Sequence, residues 1–386
     1  MTILTTDHAV PHTSTEPANT GQSVNLFVRE LVDTDAEEPE VVLMLHGRTV
    51  SGLPTFDLQY GDYSWARDLA GAGYDVFIMD LQGAGKSPRP KMDDPCNISP
   101  SQQQQLQSIL VPNPLENGPC SPSYPHQLGN SQSNWDEVDT VVDYIIGLRR
   151  QRHVALIGHS AAAFAFGPYA LQHPEKVASL FLTAPIFPPR GRKGTGDGFG
   201  VPAGVTLPVS SPAGTYGFPT NVFVKEGFPS GEVPVDVAWK AMMESDDLGS
   251  TWGPTDPATG QPEGVSRWRF PYWWGWNSTT APLHGTLGRR LPVFIVYGDL
   301  DTTANTPESS PDVLYFSVPA LYAAIPGPRK LMIRVAGTGH QMNWEGQYKV
   351  LHGMSRQWLK DRTVDGFEEG SYFLDGNGVY HPATES

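Results

Sequence analysis

At 386 residues with a formal net charge of −15, the chain is long enough for one large or two small domains. That acidity argues against nucleic acid and against an anionic membrane surface as partners, because both need a basic face. No apolar run reaches the roughly 18 residues of a transmembrane helix, and the 40 glycines and 36 prolines point to long ordered loops.

The N-terminal stretch MTILTTDHAVPHTSTEPANTG lacks both the basic start and the apolar centre of a secretory signal. Residues 1–20 are expected to be a disordered lead-in, and the protein to be cytoplasmic. EVVLMLH (40–46) is an apolar run of strand length that ends in His46-Gly47. A helix is expected around 64–70, then a second buried run, YDVFIMD (74–80). Residues 88–133 form a loop insertion rich in Pro, Asn, Ser and Gln that holds Cys96 and Cys120. A disulfide between them would close the loop and point to an oxidising compartment; two free thiols would suit a cytosolic protein. Spacing alone does not choose between these. NWDEVDTVVDYIIGLRR (134–150) repeats Trp135, Val138, Val142, Ile145 and Leu148 at helical spacing, with Ser133 as candidate N-cap and Arg149 and Arg150 at the end a helix dipole favours for cations.

VALIGHSAAAF (154–164) follows, and it changes character at one residue. Val154 to Ile157 suit a buried strand, whereas Ala161 to Ala165 have high helix propensity. A strand that turns directly into a helix strains the residue at the corner, Ser160, and needs small neighbours, which Gly158 and Ala162 supply. Further strands are expected at 177–183, 292–297 and 330–335, and a last helix at 347–360. Strands alternating with helices give a mostly parallel sheet with helices on both faces. Residues 187–290 interrupt the alternation with one clear helix near 234–244; a loop of that length is better read as a cap or lid. The tail, 363–386, is expected to form a hairpin around DGNG (375–378).

A serine hydroxyl attacks a carbonyl only with a base to take its proton, a group to orient that base, and donors for the oxyanion. On a parallel sheet such groups belong at the carboxyl ends of strands. Asp299 and Asp301 follow the strand at 292–297, and His340 follows the strand at 330–335. The chain order Ser160, Asp301, His340 is that of an α/β-hydrolase.

The sequence resembles the α/β-hydrolase family outside its two insertions and its termini. The likeness is carried by LMLHG, DLQGAGKS, GHSAA, YGDLD and GTGHQMNWE together. It implies the α/β-hydrolase fold, with a core of 21–186 and 291–362 and the lid inserted between the strands near 177–183 and 292–297. It also implies Ser160 as nucleophile, His340 as base, and Asp301 rather than Asp299 as the acid. The backbone N–H groups of Arg48 and Ala161 become the oxyanion donors. Where the family's turn usually ends in glycine, this chain has Ala162.

The aromatic stretch WRFPYWWGW (268–276) either buries the lid or lines a pocket for an apolar or aromatic molecule. Trp273, Trp274 and Trp276, with His159 and Met342, are the expected pocket residues. The Arg48 side chain is either a surface cation or a contact for a substrate carboxylate or carbonyl. GAGKS (83–87) mimics the end of a phosphate-binding loop, but the motif's first glycine position is Asp80; GTGDGFG (194–200) has no strand before it or helix after. No CxxC or HExxH occurs, so no metal and no cofactor are implied. The expected activity is hydrolysis of a carboxylic ester or lactone of a small molecule through an acyl-enzyme. Amide, thioester and C–C bond cleavage and acyl transfer use the same groups, and an idle ligand-binding protein is the rival from another class.

Overall fold

The structure, a computed structural model, describes residues 2–99, 102–104, 107, 110–210, 216–217, 232–309 and 314–383. Its strands are β1 (Ile3–Thr13), β2 (Ser23–Asp33), β3 (Val41–Leu45), β4 (Asp75–Met79), β5 (Val154–His159), β6 (Val177–Thr183), β7 (Tyr216–Gly217), β8 (Trp268–Arg269), β9 (Val293–Gly298), β10 (Lys330–Val335), β11 (Gly370–Leu374) and β12 (Tyr380–Pro382). The α-helices are α1 (Gly52–Phe56), α2 (Trp65–Gly71), α3 (Ser131–Arg149), α4 (Ala163–Gln172), α5 (Val235–Glu244), α6 (Val318–Ala324) and α7 (Tyr348–Asp361).

Among the described residues, ten strands form one sheet in the order β1-β2-β4-β3-β5-β6-β9-β10-β11-β12. From β4 to β11 every pairing is parallel; β1, β2 and β12 run antiparallel at the two edges. The short apolar runs become strands because each is buried on both faces, and side chains alternate between those faces. Val41, Leu43 and Leu45 pack with Val138, Val142 and Phe166 of α3 and α4. Val42 and Met44 pack with Trp65, Leu69 and Trp358 of α2 and α7.

Two expectations are corrected and a third is extended. Residues 1–20 are not a disordered lead-in: β1 pairs with β2 over its whole length, from Ile3–Asp33 to Thr13–Ser23. Its few apolar residues hid it, since an edge strand is held by its ladder more than by burial. The N-cap of α3 is Asn130, which accepts from the Ser133 N–H at 3.0 Å, while Ser133 Oγ accepts from the Asn130 N–H at 3.1 Å. Ser133 is thus the other half of a reciprocal capping box inside the helix. The tail forms the expected hairpin, but its β11 pairs with β10, so the tail extends the main sheet.

The described parts of the two long insertions pack against the core and against each other. Ala238, Trp239 and Met242 of α5 lie against Val50, Leu58, Trp344 and Tyr348. The 88–133 segment packs Met92, Ile98 and Leu115 against Trp252 and Val265. Cys96 and Cys120 are joined by a disulfide, with Cα atoms 5.3 Å apart. Among the described residues no helix is long and apolar enough to cross a membrane.

Candidate active site

The register of the sheet brings four loops to one edge. Leu45 of β3 lies opposite Gly158 of β5, and His159 lies opposite Thr183 of β6. Gly298 of β9 lies opposite Val335 of β10. The residues that follow β3, β5, β9 and β10 therefore emerge side by side.

Ser160 stands at the corner between β5 and the helical turns leading into α4, with φ of 56°. That left-handed conformation is strained for a residue with a side chain, at a cost of roughly 1–3 kcal/mol. Small neighbours make it possible: a Cβ on Gly158 would come within 3.1 Å of the Ala162 Cβ. The methyl of Ala162 thus fits because Gly158 lacks one. Gly47 is bare for the same reason, since a Cβ there would meet Ser160 Cβ at 3.0 Å and Oγ at 3.3 Å.

Ser160 Oγ lies 2.8 Å from His340 Nε2, and His340 Nδ1 lies 3.0 Å from both carboxylate oxygens of Asp301. The N–H groups of Thr303 and Ala304 each donate to Asp301 Oδ1 at 2.9 Å, which fixes the carboxylate. Asp299 is placed elsewhere: it is exposed and accepts from the Gly337 N–H at 2.8 Å. Ser160 and Asp301 are buried, while His340 keeps partial exposure. Of the two backbone donors, the Arg48 N–H has no acceptor among the described residues. The Ala161 N–H falls in the first turn of its helix, where no intrahelical carbonyl is available.

Several positioning groups escaped the sequence reading. His46 is buried; its Nδ1–H donates to the Gly47 carbonyl at 2.6 Å, and its Nε2 accepts from the Leu81 N–H at 3.2 Å. Burial holds its pKa down, against an opposing pull from Asp80, so it serves as a neutral brace for the Gly47 turn. Asp80 accepts from the Gly52 and Lys86 N–H groups at 2.7 and 3.0 Å, bracing the DLQGAGKS turn. Glu345 is buried and accepts from the Thr338 hydroxyl at 2.6 Å and from the Gly339 N–H, clamping the loop that carries His340. Glu345 was visible within GTGHQMNWE, but a brace is not distinguishable from other motif residues without its contacts.

The expected pocket residues divide. Trp273 does line a cleft beside the site, together with Gly47, Arg48, Asn134, Ala161 and Arg269. Its ring stacks on Phe164 at 4.3 Å between centroids. Trp274 and Trp276 do not: each is about 1 % exposed and belongs to the core. Trp274 packs edge-on against Trp135 and donates its Nε1–H to the Phe199 carbonyl at 2.9 Å; Trp276 fills the space left by Gly167. Met342 is likewise a core residue, grouped with Val335, Leu351 and Met354. His159 is buried, with its ring 5.1 Å from that of His340. Burial, and then the neighbouring His340 and His46, holds its pKa well below the ordinary histidine value, so it adds no charge beside His340. Among the described residues no cluster of His, Cys, Asp and Glu is arranged to hold a metal.

Residues 40–195 match the family model described as the alpha/beta hydrolase fold. No curated protein sequence matches the chain. A serine hydrolase from the polyaromatic hydrocarbon-degrading bacterium Cycloclasticus zankles is similar in structure, with a TM-score of 0.51 at 13 % identity over 94 % of this chain and 99 % of its own. A 2-hydroxy-6-oxo-6-phenylhexa-2,4-dienoate hydrolase from a Rhodococcus strain gives a TM-score of 0.47 at 14 % identity, covering 93 % of this chain and 100 % of its own. A carboxylesterase from Bacillus subtilis gives 0.46 at 12 % identity, covering 92 % of each chain.

Proposed function

We propose that this chain, which has the α/β-hydrolase fold, is a serine hydrolase cleaving a carboxylic ester or lactone of a small molecule. The observation that carries the reading is the unbroken line from Ser160 Oγ through His340 to Asp301, at 2.8 and 3.0 Å. His340 Nε2 takes the hydroxyl proton as Oγ bonds to the substrate carbonyl carbon. Asp301 accepts the Nδ1–H, holding the tautomer in which Nε2 is free to act, and stabilises the imidazolium that forms. The carbonyl oxygen gains the negative charge and is met by the Arg48 and Ala161 N–H groups. Collapse breaks the bond to the leaving alkoxide, which receives the proton from His340. Water, deprotonated by the same nitrogen, then releases the acyl group from Ser160.

Residues 187–290 act in this reading as a cap over the reacting groups. Support comes from α5 packing on Trp344, four residues beyond His340, and from Trp273 lining the cleft beside Ala161. The apolar character expected of the substrate falls to Trp273 alone of the three tryptophans first considered.

The test is labelling with a fluorophosphonate, followed by a screen of activated esters, lactones, thioesters and amides. Wild-type protein should label and turn over esters. Ser160→Ala should not label, and Ser160→Ala and His340→Ala should each lose about 10³-fold or more in kcat. Ester turnover by folded Ser160→Ala at the wild-type rate would sink the reading; preference for thioesters or amides would move the scissile bond and keep the machinery.

A further inference from the structure

The cleft beside Ser160 is lined by hydrogen-bond donors that lack acceptors. Arg48 is one of them: its guanidinium lies over the rings of Trp268 and Phe270, 5.2 and 5.1 Å from their centroids. No carboxylate pairs with it among the described residues, although Arg48 is exposed and borders both this cleft and the adjoining one. Its neighbours differ in this respect. Arg269 on the same cleft is paired with Glu16. Arg89 and Arg267, which border the adjoining cleft with Arg48, both reach Asp246, at 3.5 and 2.6 Å.

The second donor is the Asn134 side chain, which is 3 % exposed and lines the same cleft. Its Oδ1 faces the Trp273 Nε1–H at 3.4 Å, which directs the amide NH₂ elsewhere, and that Nδ2 has no partner. A buried amide left unpaired costs free energy, and a guanidinium held against two aromatic rings with no carboxylate beside it gains from an anion that arrives. Both demands are met by one kind of ligand group. An oxyanion accepts from the amide and from the guanidinium at once, and a planar carboxylate matches the fork of arginine. The charge also matches, since one unpaired guanidinium balances a monoanion and would leave a phosphate dianion half compensated.

We propose that this site takes esters bearing a free carboxylate, and that the Arg48 side chain recognises that carboxylate with the Asn134 amide beside it. The proposal rests on the serine-hydrolase reading, for Gly47, Arg48 and Ala161 wall the cleft and supply the backbone that faces the reacting carbonyl. The carboxylate site therefore adjoins the backbone of Gly47 and Ala161 next to Ser160, so the substrate is a hemiester of a dicarboxylic acid or an ester of similar reach.

The experiment compares 4-nitrophenyl hemiesters of succinic, glutaric and adipic acids with the same molecules capped as methyl esters. Ionic strength is held constant because the net charge of −15 repels anions at long range. Wild-type protein should favour at least one hemiester over its capped form in kcat/KM. Arg48→Gln should lower that ratio about tenfold or more, with Arg48→Lys between the two. Taking the ratio within each variant cancels any change in the backbone donor that both esters share. A ratio equal in wild type and Arg48→Gln, or a wild-type preference for every capped ester, overturns the proposal. Calorimetric binding of the hemiesters to Ser160→Ala and to the Ser160→Ala, Arg48→Gln double variant separates the two readings. Arg48-dependent binding supports carboxylate recognition even if no ester is cleaved, and equal binding overturns it even if esters are cleaved.

Discussion

Ser160, Asp301 and His340 were legible one by one because each follows a buried strand, and the loops beyond strand ends on a parallel sheet are where reacting groups collect. The choice between the two carboxylates shows what contacts add. Asp301 touches His340 at 3.0 Å through both oxygens, whereas Asp299 holds only the Gly337 N–H of a turn. Asp301→Asn should cost about 10³- to 10⁴-fold in kcat by releasing the wrong tautomer of His340. Asp299→Asn should stay within a few-fold of wild type, as measured on one ester under saturating conditions. A reversed order would place the acid two residues earlier. The tryptophans were less legible. Trp273, Trp274 and Trp276 are nearly adjacent in sequence, yet one lines the cleft and two fill the core, and residue type carries no information on which way a loop turns.

At the scale of the element, α3 shows a titration that composition does not reveal. Glu137 is wholly buried, accepting from the Gln82 N–H at 2.8 Å and from the Gln82 side-chain amide at 3.0 Å. Burial pushes its pKa up to about 8, against the pull of those two donors. In the unfolded chain a glutamate titrates near 4.3, so between the two values the folded protein holds the extra proton. Its contribution to stability is complete below about pH 4 and is lost as the pH rises through about 8. Wild type should lose urea resistance between roughly pH 5 and 9. Glu137→Gln, whatever its absolute stability, should lose less over the same range; equal losses would remove Glu137 from the account. The same helix illustrates a limit of local signals: both Asn130 and Ser133 are good capping residues, and only the capping box assigns the cap to Asn130. β1 marks another, since its eleven-residue ladder leaves no apolar alternation strong enough to read.

At the scale of the molecule, the disulfide between Cys96 and Cys120 ties down an insertion whose apolar residues reach Trp252 and Val265. Closing a loop of 24 residues stabilises by about 3 kcal/mol through the unfolded state. Reduction, or Cys96→Ser with Cys120→Ser, should lower the urea midpoint accordingly; an unchanged midpoint would mean that the loop is held by packing alone. Such a bond persists where thiols are kept oxidised, which weighs against the cytoplasmic expectation. By itself the sequence determined the alternation of strands and helices, and with it a parallel sheet whose carboxyl edge carries Ser160, Asp301 and His340. Periodicity and chain order are local or one-dimensional properties, so they survive without coordinates. Only the tertiary structure decided that residues 3–13 complete the sheet, that Cys96 meets Cys120, that Trp274 and Trp276 turn inward, and that Arg48 borders the cleft without a carboxylate partner. Each of these depends on which distant segment arrives at a given surface, and no property of the residue itself encodes its neighbour across the fold.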